Sequence, residues 1–155
     1  MAKDRRCWDS DPILAWLLQE NGKWQECQGV LQKAERGELD IVVSALAIAE
    51  VLALRGHARI ARDRSATVRG FFQRSFIKVR QLDRSTAELA QEVVWDHGIA
   101  PKDAIHLATA IKWHVPRLDT FDEALISKSG SVGNPAVIIG RPDVPFEMQL
   151  GDDVA

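Results

Sequence analysis

Four carboxylates stand at unusual places in this sequence: Asp9, Glu50, Asp103 and Asp122. Asp103 opens PKDAIHLATA, a stretch that is apolar on nearly every helical face and is therefore expected to be buried on every face. Pro101 suits the first turn of that helix, and an acid there complements the helix dipole, so Asp103 has a purely stabilising reading. Glu50 has none so cheap. It is the single charge among Leu46, Ala47, Ile48, Ala49, Val51 and Leu52, where an ionised carboxylate costs several kcal/mol unless it is paired or metal-bound. Either one of the many arginines neutralises it, or several acids share a cation. Two carboxylates about 5 Å apart repel by roughly 3 kcal/mol at an effective dielectric of 20, and a divalent ion removes that repulsion. Hard oxygen donors with few histidines point to Mg²⁺ or Mn²⁺ rather than zinc.

The elements that position these acids follow from the apolar spacing. RRCWD reads as a short strand ending at Asp9, and Asp11-Pro12 starts a helix to about Glu20, with a second from about Lys23 to Arg36. LDIVVS is a β-branched run suited to a strand covered on both faces. Ser44 then caps a helix from Ala45 to about Leu54 that carries Glu50. A more polar helix is expected from about Ala58 to Gln73, followed by the strand FIKVRQL. An amphipathic helix from Ser85 to His97 turns Ala87, Ala90, Val93 and Val94 inward and is closed by Gly98. After the helix of Asp103 come the strand VPRLDT, a helical turn over Glu123–Ser127 and a last strand, AVIIG. Strands and helices alternating at these lengths predict an α/β fold with a mainly parallel sheet. In such sheets ligands bind beyond the carboxyl ends of the strands, where Asp9 and Asp122 would project.

The chain of 155 residues suits a single domain spanning 1–140, with the acidic, proline-interrupted residues 141–155 as a partly ordered C-terminal extension. No apolar run approaches the roughly 18 residues of a membrane span, and the charged start lacks a secretory pattern. Cys7 and Cys27 fit no metal spacing or disulfide framework, so a reducing cytoplasm is expected. The net charge of −2 announces no nucleic-acid partner, but Arg59, Arg62, Arg64 and Arg69 concentrate positive charge in the middle of the chain. They read either as a row of phosphate contacts or as a solvated helix face.

CWDSD after a strand, VVSALAIAEVL, PKDAIHLATAI and LDTFDEAL, in this order and at these separations, resemble a PIN-domain ribonuclease. Within that family the sequence is most similar to the VapC-type toxins of toxin–antitoxin pairs. The resemblance covers residues from about 5 to 140. It implies a three-layer α/β/α sandwich, an acidic site binding Mg²⁺ or Mn²⁺, and cleavage of single-stranded or structured RNA. By motif position, Asp9, Glu50 and Asp103 would be metal ligands and Asp122 the fourth acid. The resemblance also implies a small antitoxin laid over the acids, and a homodimer. The faces carrying Trp16 and Trp24 would serve as docking surfaces or as core.

Asp11 stands where the family often has Asn, and either adds charge to the site or caps the first helix. Ser10 and Thr120 would hydrogen-bond the acids or a phosphate, or act as turn residues. His106, one turn beyond Asp103, would serve in the site or as a hydrogen-bonded core histidine. Two other function classes compete. One is a PIN-fold RNA- or protein-binding module without nuclease activity. The other is a small-molecule Mg²⁺ phosphohydrolase, whose Asp-x-Asp nucleophile element DSD at 9–11 would satisfy.

Overall fold

A computed structural model of the chain describes residues 3–53 and 57–144. Among these, five strands form one wholly parallel sheet: β1 Asp4–Trp8, β2 Leu39–Ser44, β3 Ile77–Arg80, β4 Arg117–Asp119 and β5 Ile138–Gly140. Their order is β3-β2-β1-β4-β5. The chain therefore winds outward from β1 to one edge, then returns to the other side of β1. The β1/β4 boundary is the point where the winding reverses, and there an open parallel sheet leaves its crevice.

Strand alternation sends Trp8, Ile41 and Val43 into one core and Cys7 and Val42 into the other. The first face is covered by α1 Ser10–Leu17, α2 Trp24–Glu35, α3 Leu46–Glu50 and α4 Ser65–Phe72, which contribute Ile13, Leu31, Ala47 and Phe71. The second is covered by α5 Arg84–His97 and α6 Pro101–Lys112, through Ala90, Val93, Ala104 and Leu107. A short α7, Glu123–Ile126, adds Leu125. This is the expected three-layer α/β/α sandwich. No helix among the described residues is long and apolar enough to cross a membrane. Cys7 and Cys27 are both free and buried, and burial pushes both thiols up.

Three elements differ from the sequence reading. The helix expected over Ala45 to Leu54 runs only Leu46–Glu50, although Ser44 Oγ does accept the Leu46 N–H at 3.2 Å. Val51 leaves helical geometry (φ −79°, ψ 69°) as its side chain enters the core, and Leu54 lies outside the described residues. Nor is α3 buried all round, since Ile48 is exposed, as is Leu52 just beyond its end. The basic helix starts late: Ile60 is tied by its N–H to the Leu52 carbonyl, so helical turns begin only at Arg62. In α5 the Asp83 carboxylate accepts the Thr86 N–H, so Thr86 turns inward while Ala87 faces solvent. Beyond β5, Pro142 and Val144 are buried and Arg141 reaches Glu26 of α2 at 3.0 Å. The remainder of the expected extension, 145–155, lies outside the described residues.

Candidate active site

Asp9 leaves the end of β1 at the reversal point and is 3% exposed. Its Oδ1 accepts the Asp11 N–H at 3.0 Å, which makes it the N-cap of α1. Its Oδ2 accepts the Thr120 hydroxyl at 2.6 Å from the residue that follows β4. Thr120 in turn accepts the Asp122 N–H at 3.2 Å. The ends of β1 and β4 are thus joined through one buried carboxylate. Burial, then the nearby charge of Asp11, raises the Asp9 pKa to about 8 against these two hydrogen bonds.

Asp11 is not the helix cap. It occupies the first turn of α1 with its carboxylate toward the crevice, and burial and the charge of Asp122 raise its pKa, partly offset by Lys23. Ser10, the first residue of α1, lines the same crevice. Asp103 sits in the first turn of α6, half-buried, with its pKa raised by burial and by the charges of Asp122, Asp11 and Glu50. Asp122 caps α7, accepting the Ala124 and Leu125 N–H groups through Oδ1 at 2.9 and 3.2 Å.

Among the described residues Glu50, at the end of α3, has no arginine partner. Its Oε1 lies 2.6 Å from His106 Nε2. His106 lies three residues beyond Asp103 on α6, hence on the same helix face. Burial works against charge on this imidazole, but the Glu50 hydrogen bond and the charges of Asp9 and Asp103 outweigh it and hold its pKa above the ordinary value. The acids of β1, α1, α3, α6 and the α7 cap thus form one electrostatic unit. A groove of about 500 Å³ opens onto it, lined by Ser10, Asp11, Glu50, Arg59 and Lys102 among others.

Of the four arginines singled out from the sequence, Arg59 borders this groove. Arg62 and Arg69 line an adjoining, more apolar groove with Ile48, Leu52 and Val68, which Arg59 also borders. Arg64 faces elsewhere, into a pocket with Trp16 and Trp24. They do not form one row, because the chain from 58 to 61 is not helical.

The sequence reading overlooked Asp119. This fully buried residue of β4 accepts Trp8 Nε1–H at 2.9 Å and Arg117 Nε–H at 2.7 Å, and Arg6 lies at 3.3 Å. It braces the strand pair directly below Asp9 and Thr120. An aspartate closing a short strand, two residues after an arginine, was the available signal.

The donor set consists of hard oxygens, and among the described residues its excess negative charge is opposed by His106, with Lys23, Lys102 and Arg59 at the periphery. That chemistry fits a divalent, oxygen-preferring cation. Among the described residues, no three His, Cys, Asp or Glu side chains already surround one point closely enough to hold an ion. The acids are collected around the crevice without being closed on a centre.

The PIN domain family model matches residues 7–130. The chain belongs to the PIN domain family. No curated protein sequence matches it. Among solved structures, its fold resembles Mycobacterium tuberculosis VapC20, a sarcin–ricin loop cleaving toxin. The TM-score is 0.61 at 14% identity, over 79% of this chain and 93% of that one. FitAcB from Neisseria gonorrhoeae matches with a TM-score of 0.54 at 17% identity, covering 88% and 97% of the two chains. FitAB bound to an IR36 DNA fragment matches at 0.55 and 16%, covering 93% and 97%. At these identities the likeness is one of PIN fold.

Proposed function

We propose that this PIN-domain protein is a Mg²⁺- or Mn²⁺-dependent endoribonuclease acting as the toxin of a toxin–antitoxin pair. The observation that carries the reading is Asp9. It is a carboxylate buried at the sheet's reversal point, pinned by two hydrogen bonds and raised in pKa to about 8 beside further acids. Evolving a core around that arrangement is costly unless a cation offsets it. Asp9, Glu50 and Asp103 would hold the cation, with Asp122 the fourth acid. A divalent cation in such a site lowers the pKa of a water and neutralises charge on phosphate oxygens.

The chain's own residues do the rest. Thr120 and the Asp11 N–H orient Asp9, and His106 orients Glu50. Arg59 and Lys102, on the rim of the groove, are placed to meet a phosphodiester backbone from outside the acids. The buried, doubly bonded Asp9 is poorly placed for the nucleophilic role that a small-molecule phosphohydrolase would need. A cytoplasmic setting and an antitoxin partner accompany the toxin reading, supported by the fold's likeness to VapC20, whose name describes a loop-cleaving toxin.

The test is cleavage of structured RNAs, a sarcin–ricin loop oligonucleotide among them, by wild-type and Asp103→Asn protein with Mg²⁺ or Mn²⁺. Circular dichroism verifies that both are folded. Cleavage by the wild type, abolished by EDTA and absent in Asp103→Asn, is expected. Equal cleavage by both proteins would remove the acidic site from the reaction. Absence of cleavage by either, together with RNA binding, would favour the binding-module reading.

A further inference from the structure

His106 is 1% exposed in α6, with Ala104, Leu107 and Ala108 beside it in the core. A leucine there would avoid the cost of burying two polar ring nitrogens. Among the described residues Nδ1 of His106 has no hydrogen-bond partner, so the ring is anchored through Nε2 to Glu50 Oε1 at 2.6 Å. The imidazole is therefore not explained as a core residue satisfying itself on the backbone. Its hydrogen bonding goes to one oxygen of one carboxylate, and Nε2–H donates in the neutral ring and in the imidazolium alike.

This bond limits what Glu50 can offer. With Oε1 held by His106, Oε2 is the oxygen left to meet an ion, and gripping the ion with both would draw on an oxygen already committed to, and oriented by, a short hydrogen bond. Asp9 accepts at both oxygens, Oδ1 from the Asp11 N–H and Oδ2 from the Thr120 hydroxyl, so an ion there would meet the second lone pair of one fixed oxygen. Small octahedral ions take one oxygen from each of a few carboxylates, whereas Ca²⁺ readily accepts bidentate carboxylates and higher coordination.

We propose that His106 is a positioning residue that holds Glu50 to one-oxygen ligation and so sets the site's preference for Mg²⁺ or Mn²⁺ over Ca²⁺. This rests on the reading of Asp9, Glu50 and Asp103 as cation ligands, and the two can fail separately. Calorimetric titration of the metal-stripped full chain with Mn²⁺ and with Ca²⁺ gives the ratio of the two affinities, a quantity that loss of packing alone does not move.

The wild type is expected to bind Mn²⁺ more tightly than Ca²⁺. His106→Leu should shrink that ratio by about tenfold or more, the range over which outer partners of metal ligands act. His106→Gln, whose amide N–H reaches the position of Nε2, should recover most of it. In a Glu50→Gln background His106→Leu should change nothing further, because the coupled partner is gone. Should His106→Leu fail to fold by circular dichroism, His106→Asn, polar but too short to reach Glu50, is expected to shrink the ratio equally. An unchanged ratio in a folded Leu or Asn variant overturns the role of His106 and leaves the acidic centre standing. A wild type that binds no Mn²⁺ overturns the centre itself, and the role of His106 with it.

Discussion

The Thr120 hydroxyl donates to Asp9 at 2.6 Å across a sequence separation of 111 residues. Both residues follow the ends of adjacent strands, and Trp8 pairs with Asp119 in the register just before them. Thr120→Val keeps the shape and removes the donor, leaving a buried carboxylate with one bond fewer. A loss of about 1–3 kcal/mol is expected, since a buried acceptor is left short of its partner. Thr120→Ser should recover most of it. Urea unfolding of the three proteins at one pH, without metal, measures this directly.

Asp9 gives the metal-free protein a defined pH dependence. Its pKa is raised from 3.8 to about 8, so the folded state holds this proton more tightly than the unfolded chain. The resulting stabilisation is complete below the unfolded value and is lost as pH rises through the folded one. Between about pH 4 and pH 8 the melting temperature of the metal-stripped protein should therefore carry a downward contribution. That contribution should vanish in Asp9→Asn. Saturating Mn²⁺ should reverse it in the wild type, because a ligand that binds the folded ionised acids stabilises them. Identical slopes in wild type and Asp9→Asn would show that Asp9 is not the group responsible.

Arg59 and Arg64 separate the two readings of the basic segment. Arg59 borders the groove beside Asp11 and Glu50, while Arg64 faces the Trp16 pocket. Arg59→Ala should weaken RNA binding and lower the salt slope by about 1, with no change in the site of cleavage. Arg64→Ala should leave the slope where it was. Fluorescence anisotropy at several salt concentrations distinguishes them, and equal slopes for Arg59→Ala and wild type would remove Arg59 from the RNA path.

Asp119 anchors the strand ends. Asp119→Ala would leave Arg6, Arg117 and the Trp8 indole N–H without their shared acceptor. Because Arg6 and Arg117 keep Asp143 at 3.1 and 3.6 Å, the cost falls mainly on the buried indole donor and the lost hydrogen bonds, and a loss of about 1–3 kcal/mol is expected on urea unfolding. Trp8 fluorescence should shift as its indole loses the bond. A loss below about 1 kcal/mol, the usual value of an exposed pair, would mean that the network contributes little to holding β1 against β4.

Much of this architecture is legible from spacing. LDIVVS and PKDAIHLATAI are apolar on every side because each is covered on more than one side, and both became the elements expected of them. The lengths of α3 and of the basic helix were not legible. They depend on Val51 entering the core and on Ile60 bonding Leu52, long-range and loop events that leave no periodic trace. The site divides in the same way. Its acids announce themselves as charges in apolar surroundings. The pairing of Glu50 with His106, rather than with an arginine, needs α3 and α6, which cover opposite faces of the sheet, to bring these two side chains together. Asp119 was hidden because its partners Arg6 and Trp8 are more than a hundred residues away in the chain.

The sheet order carries a consequence for synthesis. β1 is made first, yet in the finished sheet it lies between β2 and β4. A nascent chain can pair β1 with β2 early, while the other edge of β1 waits for residues Arg117–Asp119. Until then Asp9 has its helix-capping bond and lacks the Thr120 hydroxyl. The acidic centre is therefore completed only once Thr120 has been made, and a product truncated before β4 would carry the acids of α1, α3 and α6 without the strand that locks Asp9 in place.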